Sequence, residues 1–319
     1  MKRIIAAAVT ALALLAGAHA TEAKWTESDV IIGEGDGTLH GTWLAPGAAD
    51  EGFDAVLIIS GSGPTDRDGN QANMKNDSLK MLAHALGEAG IASLRVDKRG
   101  VAASMKAGPK EEDLRFDTYI EDARSWIDLI RTMPDVKRVF VIGHSEGALI
   151  GAVVAGDDGI AGLVSLAGAG LPAADVLRRQ IKASPNGEQV LALAEPTLQK
   201  LEKGELDPAP SPLLMSLFRP SVQPYLISWF KVDPRVEIAK AAGRVQIVQG
   251  TTDFQVLVED AESLKAARAD ADYVLIEGIN HVLKVAPADR GPNAATYANP
   301  ELPLAPGVAE AIIGFIQKP

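Results

Sequence analysis

The stretch from Val139 to Gly151, "VFVIGHSEGALIG", constrains the fold more than any other part of the sequence. An apolar run that predicts a buried strand and an apolar run that predicts a helix are separated by only five residues, "GHSEG". So tight a turn forces Ser145 into a strained backbone conformation. It also brings Gly143 and Gly147 against neighbouring backbone, where a side chain has no room. The sequence therefore predicts a strand–turn–helix unit with a serine at its tip.

A serine at the tip of such a turn is typical of a nucleophile in acyl transfer. The N-terminus of the helix that follows favours a developing negative charge. The backbone N–H of Glu146, the next residue, is a candidate donor to the oxyanion of a tetrahedral intermediate. The alternative is an ordinary strand-to-helix turn that carries a serine by chance.

A serine nucleophile needs a base, and the chain offers five histidines. Four of them lie in the N-terminal leader, in an N-terminal hairpin, inside a helix and next to the serine: His19, His40, His84 and His144. The fifth, His281, follows the last predicted strand in "DYVLIEGINHVLK", where a loop can carry it over the edge of the sheet. We therefore predict His281 as the base, against the alternative of a surface loop histidine.

The acid that orients this base is expected between the serine and the histidine in chain order. Asp253 comes directly after the predicted strand "RVQIVQG", at its carboxyl end. Glu259 and Asp260 fall in the next predicted helix, and Asp233 precedes Pro234 as an expected helix cap. Asp253 is therefore the predicted acid.

Apolar strands alternate with amphipathic helices along most of the chain. Strands rich in Val, Ile and Leu on both faces predict an α/β fold with a mostly parallel sheet covered on both sides. The stretch "DVIIGEGDGTLHGTWLAPG" predicts an antiparallel hairpin ahead of it. Residues 171–233 break the alternation, because prolines there separate helical segments without a strand pattern. We predict a core of residues 21–170 and 234–319 and a helical cap of residues 171–233 over the ligand crevice, with mere extra packing as the alternative.

The N-terminus has the pattern of a signal peptide. Two basic residues, an apolar run too short to span a bilayer and Ala18-His19-Ala20 predict cleavage after residue 20. The expectation is an exported protein, periplasmic or secreted, with no stable membrane insertion once residues 1–20 are removed. An uncleaved anchor helix is the alternative. The chain has no cysteine, which excludes disulfides, thiol nucleophiles and Cys metal sites. Its net charge of −11, without a basic stripe, argues against a nucleic-acid partner.

A second glycine-rich segment, "GSGPTDRDGN" from Gly61 to Asn70, follows the predicted strand "AVLIIS". A dinucleotide loop would need glycine where Asp66 stands, and no G-K-[ST] triplet occurs. A calcium loop would need its invariant glycine where Gln71 stands. No cofactor or metal is therefore expected. What remains is an approach of backbone to substrate, with the N–H of Ser62 as the second donor to the oxyanion and Asp66 to Asp68 as an ion-paired brace.

These segments together carry a family resemblance. The chain resembles the α/β-hydrolases of the serine-esterase type, in particular bacterial esterases and hydrolases with a helical cap. Such proteins carry "GSGPxDRDGN", "DKRG", "GHSEG" and "NHxLK" in this order, which here are Gly61–Asn70, Asp97–Gly100, Gly143–Gly147 and Asn280–Lys284. One departure is "RGVAAS", in which Ala102 replaces a glycine of the family.

The resemblance implies Ser145 as nucleophile, His281 as base and Asp253 as acid. The expected activity is hydrolysis of small-molecule carboxylic esters with small to medium acyl chains through an acyl-enzyme. A peptidase or amidase with the same three residues, a non-catalytic binding protein of the same fold and a lipase acting at interfaces are the alternatives.

Overall fold

The computed structural model describes residues 24–47 and 51–319. The predicted signal peptide, residues 1–20, lies outside the described residues, so its cleavage and the export of the chain stay predictions. Within the described ranges, no helix combines the length and the apolar character that crossing a membrane requires.

Eight strands form one sheet, whose spatial order is β1-β2-β4-β3-β5-β6-β7-β8. Strand β2 runs antiparallel to β1 and β4, and all the other neighbours are parallel. The sequence prediction of a mostly parallel sheet with an N-terminal antiparallel hairpin is confirmed. The strands are β1 (Trp25–Ile32), β2 (Leu39–Pro46), β3 (Phe53–Ile59), β4 (Ala92–Val96), β5 (Val136–His144), β6 (Ile160–Leu166), β7 (Arg244–Gly250) and β8 (Asp272–Ile276).

Helices cover both faces of the sheet. They are α1 (Ser78–Glu88), α2 (Phe116–Thr132), α3 (Glu146–Val154), α4 (Ala173–Lys182), α5 (Gly187–Glu202), α6 (Met215–Phe218), α7 (Gln223–Phe230), α8 (Pro234–Lys240), α9 (Val258–Ala267), α10 (Arg290–Ala295) and α11 (Val308–Gln317). One apolar core contains side chains of α2, α3, α8 and α9, and the other contains those of α1 and α11.

Strand β5 shows why the sheet must be covered on both sides. Successive side chains of a strand point to opposite faces. Val139 and Val141 belong to one core and Phe140 and Ile142 to the other, and all four are buried. The continuous apolar run therefore becomes a central strand, and the turn that follows it is held at the carboxyl edge of the sheet.

The helices α4 to α7 occupy the segment between β6 and α8 that the sequence predicted to be helical, and residues 171–233 contain no strand. Asp233 caps α8 as expected, because its side chain accepts a hydrogen bond from the N–H of Arg235. The extent of helix α8 was not predicted beyond this cap, since seven residues carry too little of a helical period to be recognised. The division of the chain into a core and a cap stays a prediction.

The alanine at position 102, where the resembled family has glycine, has a structural consequence. Its φ of 45° lies in the left-handed region, where a side chain costs energy and glycine does not. The residue is exposed, so its methyl group contributes no buried contact.

We therefore expect Ala102→Gly to raise the free energy of unfolding by about 0.5–1 kcal/mol, because relief of backbone strain exceeds the added entropy of the unfolded chain. Thermal or urea unfolding measures the change. The control is Ala103→Gly, at an exposed neighbour that is not left-handed, where the same substitution should destabilise. Equal destabilisation by both variants would contradict the strain argument.

Candidate active site

The turn between β5 and α3 has the strained geometry that the sequence predicted. Ser145 adopts φ 56° and ψ −119°. A Cβ on Gly143 would lie 2.1 Å from the carbonyl oxygen of Gly147, and one on Gly147 would lie 2.3 Å from that of Ile59. Both positions therefore exclude every residue except glycine. The last contact also joins this turn to the end of β3.

Asp253 and His281 form a buried pair. Oδ2 of Asp253 lies 2.7 Å from Nδ1 of His281. Its other oxygen, Oδ1, accepts hydrogen bonds from the N–H groups of Gln255 and Val256 at 2.8 and 3.0 Å. The carboxylate is thus held from two sides, and its bond to Nδ1 favours the tautomer in which Nε2 is free to accept a proton.

The loop that carries His281 is fixed by close backbone contacts and buried polar bonds. A Cβ on Gly250, at the end of β7, would lie 2.0 Å from the carbonyl oxygen of Ile279. The N–H of Asn280 donates to the carbonyl of Lys284, the N–H of Lys284 donates to the side-chain oxygen Oδ1 of Asn280, and the ammonium of Lys284 donates to the carbonyl of Leu302 at 2.5 Å. Burial lowers the pKa of Lys284 to about 8. These contacts position the histidine beside the aspartate, 28 residues earlier in the chain.

Ser145 and His281 line one small cavity of about 80 Å³. Among the described residues there is no hydrogen bond between Ser145 Oγ and His281 Nε2, which is the bond that a general base would need. In enzymes without substrate this bond is often long and shortens when the substrate binds. The structure thus brings the predicted serine, histidine and aspartate to the same edge of the sheet.

The two predicted oxyanion donors also lie at the serine. Gly61 is so near that a Cβ there would lie 3.1 Å from Cβ and 3.5 Å from Oγ of Ser145. The N–H groups of Ser62 and Glu146 have no acceptor within residues 24–47 and 51–319. Both residues line the larger cavity beside the serine, and Ser62 also lines the smaller one. Two unpaired backbone donors are therefore available to a substrate oxygen.

His144 was set aside in the search for a base, and the structure shows why it matters in another way. Its ring packs against that of His281 at 4.8 Å between centroids, and its Nε2 donates to the backbone carbonyl of His281 at 2.7 Å. Burial, together with the neighbouring imidazole, lowers the pKa of His144 to about 3. It therefore stays neutral at neutral pH and does not repel a positive charge on His281.

The charged end of the "GSGPTDRDGN" segment forms ion pairs at Arg67 and Asp68, as the sequence predicted, whereas Asp66 is held by backbone N–H groups. Arg67 pairs with Asp97 at 2.7 Å, and Asp68 pairs with Arg95 at 3.0 Å. Asp66 accepts two backbone N–H groups on one oxygen, and burial raises its pKa. In the described part of the chain no cluster of three His, Asp or Glu side chains could hold a metal ion.

A larger cavity of about 470 Å³ opens beside Ser145. Most of its wall comes from the helices between β6 and β7 and is apolar. Apolar and aromatic wall residues of α4 and α7 include Leu177, Tyr225, Leu226 and Trp229.

The mostly parallel sheet, the strained serine turn and the buried Asp–His pair define an α/β hydrolase. The chain belongs to the family described as serine aminopeptidase, S33, whose model matches residues 73–281. The matched range includes Ser145, Asp253 and His281.

The chain is also similar to a known esterase and, in fold, to solved structures. Esterase EstD of Thermotoga maritima is 30% identical over 240 residues, which is 72% of this chain and 55% of that protein. The chain thus spans about half the length of this relative. Among solved structures, Est1E from Butyrivibrio proteoclasticus superposes with a TM-score of 0.57 at 17% identity, over 91% of this chain and 99% of that one. The esterase domain of a Rhodothermus marinus protein superposes with a TM-score of 0.55 at 16% identity, over 91% of this chain and 97% of that one. These two likenesses show the fold.

A substitution at Gly147 tests whether its close contact with the carbonyl of Ile59 constrains the turn. We expect Gly147→Ala to lower the free energy of unfolding by at least about 2 kcal/mol, because the new methyl group meets a backbone carbonyl that cannot move aside. Labelling by a fluorophosphonate probe should fall with it. Thermal unfolding and labelling rates measure both effects.

The matched control is Gly151→Ala in the same helix, where the nearest atoms are side-chain carbons of Leu163 and Val141 at 3.1 and 3.2 Å. These neighbours can shift, and alanine favours the helix, so we expect a change within about 1 kcal/mol. Wild-type stability and labelling in Gly147→Ala would show that the contact does not constrain the turn.

Proposed function

We propose that the protein is a carboxylesterase-type serine hydrolase that cleaves small-molecule esters with small to medium acyl chains. The observation that carries the proposal is the buried Asp253–His281 bond of 2.7 Å beside a serine held at φ 56°. The similarity to Esterase EstD and the fold shared with Est1E support it.

In the proposed mechanism Ser145 attacks the ester carbonyl, and His281 takes the serine proton through Nε2. Asp253 keeps the imidazole in the required tautomer and stabilises the imidazolium that forms. The neutral ring of His144 lies beside this imidazolium without opposing its charge. His281 then returns the proton to the leaving alcohol, and an acyl group remains on Ser145.

The tetrahedral oxygen is proposed to accept hydrogen bonds from the N–H groups of Ser62 and Glu146. One such donor contributes on the order of 10²–10³ in rate, about 3–4 kcal/mol. Water, activated by His281, then attacks the acyl-enzyme and releases the acid. Every step uses groups of this chain, the substrate and one water molecule.

The acyl-chain range follows from the larger cavity. Its volume of about 470 Å³ is within the usual range for small-molecule sites, and its wall is mainly apolar. An apolar wall favours a hydrocarbon chain, since burying it releases water from both surfaces.

An aminopeptidase is the second candidate, because the family carries that description. Such an enzyme needs a free carboxylate near the nucleophile to hold the substrate's ammonium group. Among the described residues, Glu146 is the acidic residue in the walls of the two cavities at Ser145; it lines the larger one, and its carboxylate is already bonded to Lys98 and Tyr225. The geometry therefore favours esters over peptides.

The test of the proposed function is Ser145→Ala. We expect it to keep the fold, to reduce kcat on p-nitrophenyl butyrate by at least about 10⁴-fold and to abolish fluorophosphonate labelling. Circular dichroism and thermal unfolding confirm the fold. Aminoacyl p-nitroanilides, measured in parallel on the wild type, distinguish esterase from aminopeptidase.

The acid is tested by Asp253→Asn, with Glu259→Gln as control because Glu259 is exposed and lies in the first turn of the next helix. The first variant should lose about 10⁴-fold in kcat and the second almost nothing. Retained turnover in Ser145→Ala, or equal effects of the two carboxylate variants, would refute the mechanism.

The proposed acyl site predicts a change of chain-length preference. Leu177→Trp adds bulk inside the larger cavity, so turnover of p-nitrophenyl octanoate should fall at least about tenfold relative to p-nitrophenyl acetate. Leu193→Trp, at an exposed position of α5, is the matched control and should leave the ratio unchanged. Equal losses on both esters in Leu177→Trp would mean that the acyl chain binds elsewhere.

A further inference from the structure

Lys98 is a buried cation that the mechanism above does not use. It follows β4 in the "DKRG" segment, and its side chain is 4% exposed. Its ammonium donates to the backbone carbonyl of Gly61, pairs with the carboxylate of Glu146 at 3.2 Å and lies 5.4 Å from the ring centroid of Tyr119. Two of these partners, Gly61 and Glu146, belong to the segments that carry the proposed oxyanion donors.

The bond to Gly61 determines the direction of one donor. The carbonyl of Gly61 and the N–H of Ser62 belong to the same planar peptide group, in which a trans bond points them in opposite directions. A hydrogen bond from Lys98 to this oxygen therefore fixes the peptide plane and directs the N–H of Ser62 away from the ammonium. The positive charge of the Lys98 ammonium, hydrogen-bonded to this oxygen, also polarises the peptide group, which makes the N–H of Ser62 a stronger donor.

The pair with Glu146 has a second consequence. The Glu146 carboxylate is buried on the residue whose N–H is the other proposed donor, and an uncompensated negative charge there would oppose the oxyanion. Lys98 neutralises it, and the hydroxyl of Tyr225 donates to its second oxygen. Burial and the neighbouring carboxylate raise the pKa of Tyr225, so this hydroxyl keeps its proton.

We propose that Lys98 is a positioning residue of the oxyanion hole, which orients the Gly61–Ser62 peptide and cancels the charge of Glu146 during acyl transfer. The proposal rests on the proposed function, because it assigns Lys98 a part in stabilising the same tetrahedral oxygen. It gives Lys98 no contact with the substrate and no proton to transfer.

The experiment compares Lys98→Met, Glu146→Gln and the double variant of the full chain on p-nitrophenyl butyrate. Lys98→Met should reduce kcat by about 10–10²-fold and change KM by less than about threefold, since the donors act mainly in the transition state. Affinity for an alkyl boronic acid, whose tetrahedral adduct places an oxygen in the oxyanion hole, should fall by a similar factor. A purely structural role would not link the boronate affinity to kcat.

The double variant keeps the test decisive if Lys98→Met does not fold, because it removes both buried charges together. It should regain part of the kcat lost in Lys98→Met but stay below Glu146→Gln, since the Gly61 carbonyl still lacks its donor. Arg99→Met is the matched control: it breaks the Arg99–Asp122 pair in the same loop without touching Gly61 or Glu146. Its kcat should stay within about threefold of the wild type.

The proposal is overturned if Lys98→Met keeps the kcat and the boronate affinity of the wild type, or if its kcat falls no more than that of Arg99→Met. It is also overturned if the kcat of the double variant equals that of Glu146→Gln. Failure of the proposed function has a different signature. It would appear as absent ester turnover in the wild type, or as turnover that survives Ser145→Ala.

Discussion

The backbone contact between Gly147 and the end of β3 is the constraint on which the site depends. Because β3 and β5 are neighbours in the sheet, the turn after β5 lies beside the segment after β3. The absence of a side chain at Gly147 lets the two backbones meet, which places Ser145 next to Gly61. The proposed nucleophile and the proposed oxyanion donor are thus brought together by the order of the strands and the missing Cβ of Gly147, and not by a side-chain contact.

Buried charge then determines how the loops at this edge sit on one another. Removing an ion from water is expensive unless its partner is in place. Arg67 and Asp97 join the segment after β3 to that after β4, and Lys98 and Glu146 join the latter to the serine turn. Each of these loops therefore needs its neighbour in the correct position, so three of the four sequence blocks act as a single structural unit although they are far apart in the chain.

Features of the fold and of the candidate site could be predicted from the sequence wherever a local residue pattern or the order of residues along the chain defines them. The serine turn follows from two glycines between apolar runs, and Asp253 and His281 from their places after the last two strands. The partners of Lys98 could not be predicted this way, because they lie 37 and 48 residues away and depend on which strands are neighbours. The contact of His144 with His281 spans 137 residues and was missed for the same reason.

The segment between β6 and β7 is coupled to the chemistry as well as to the shape of the cavity. In α7, Leu226 and Trp229 form part of the wall, while Tyr225 donates to the carboxylate of Glu146. The ring of Trp229 also stacks on that of Phe116 in α2, with 6.1 Å between the ring centroids, which anchors α7 on α2. A movement that widened the cavity by lifting α7 would break the Tyr225 bond and leave the carboxylate with Lys98 as its remaining side-chain partner. In the proposed mechanism, acyl-chain fit and stabilisation of the oxyanion would therefore not be independent properties of this site.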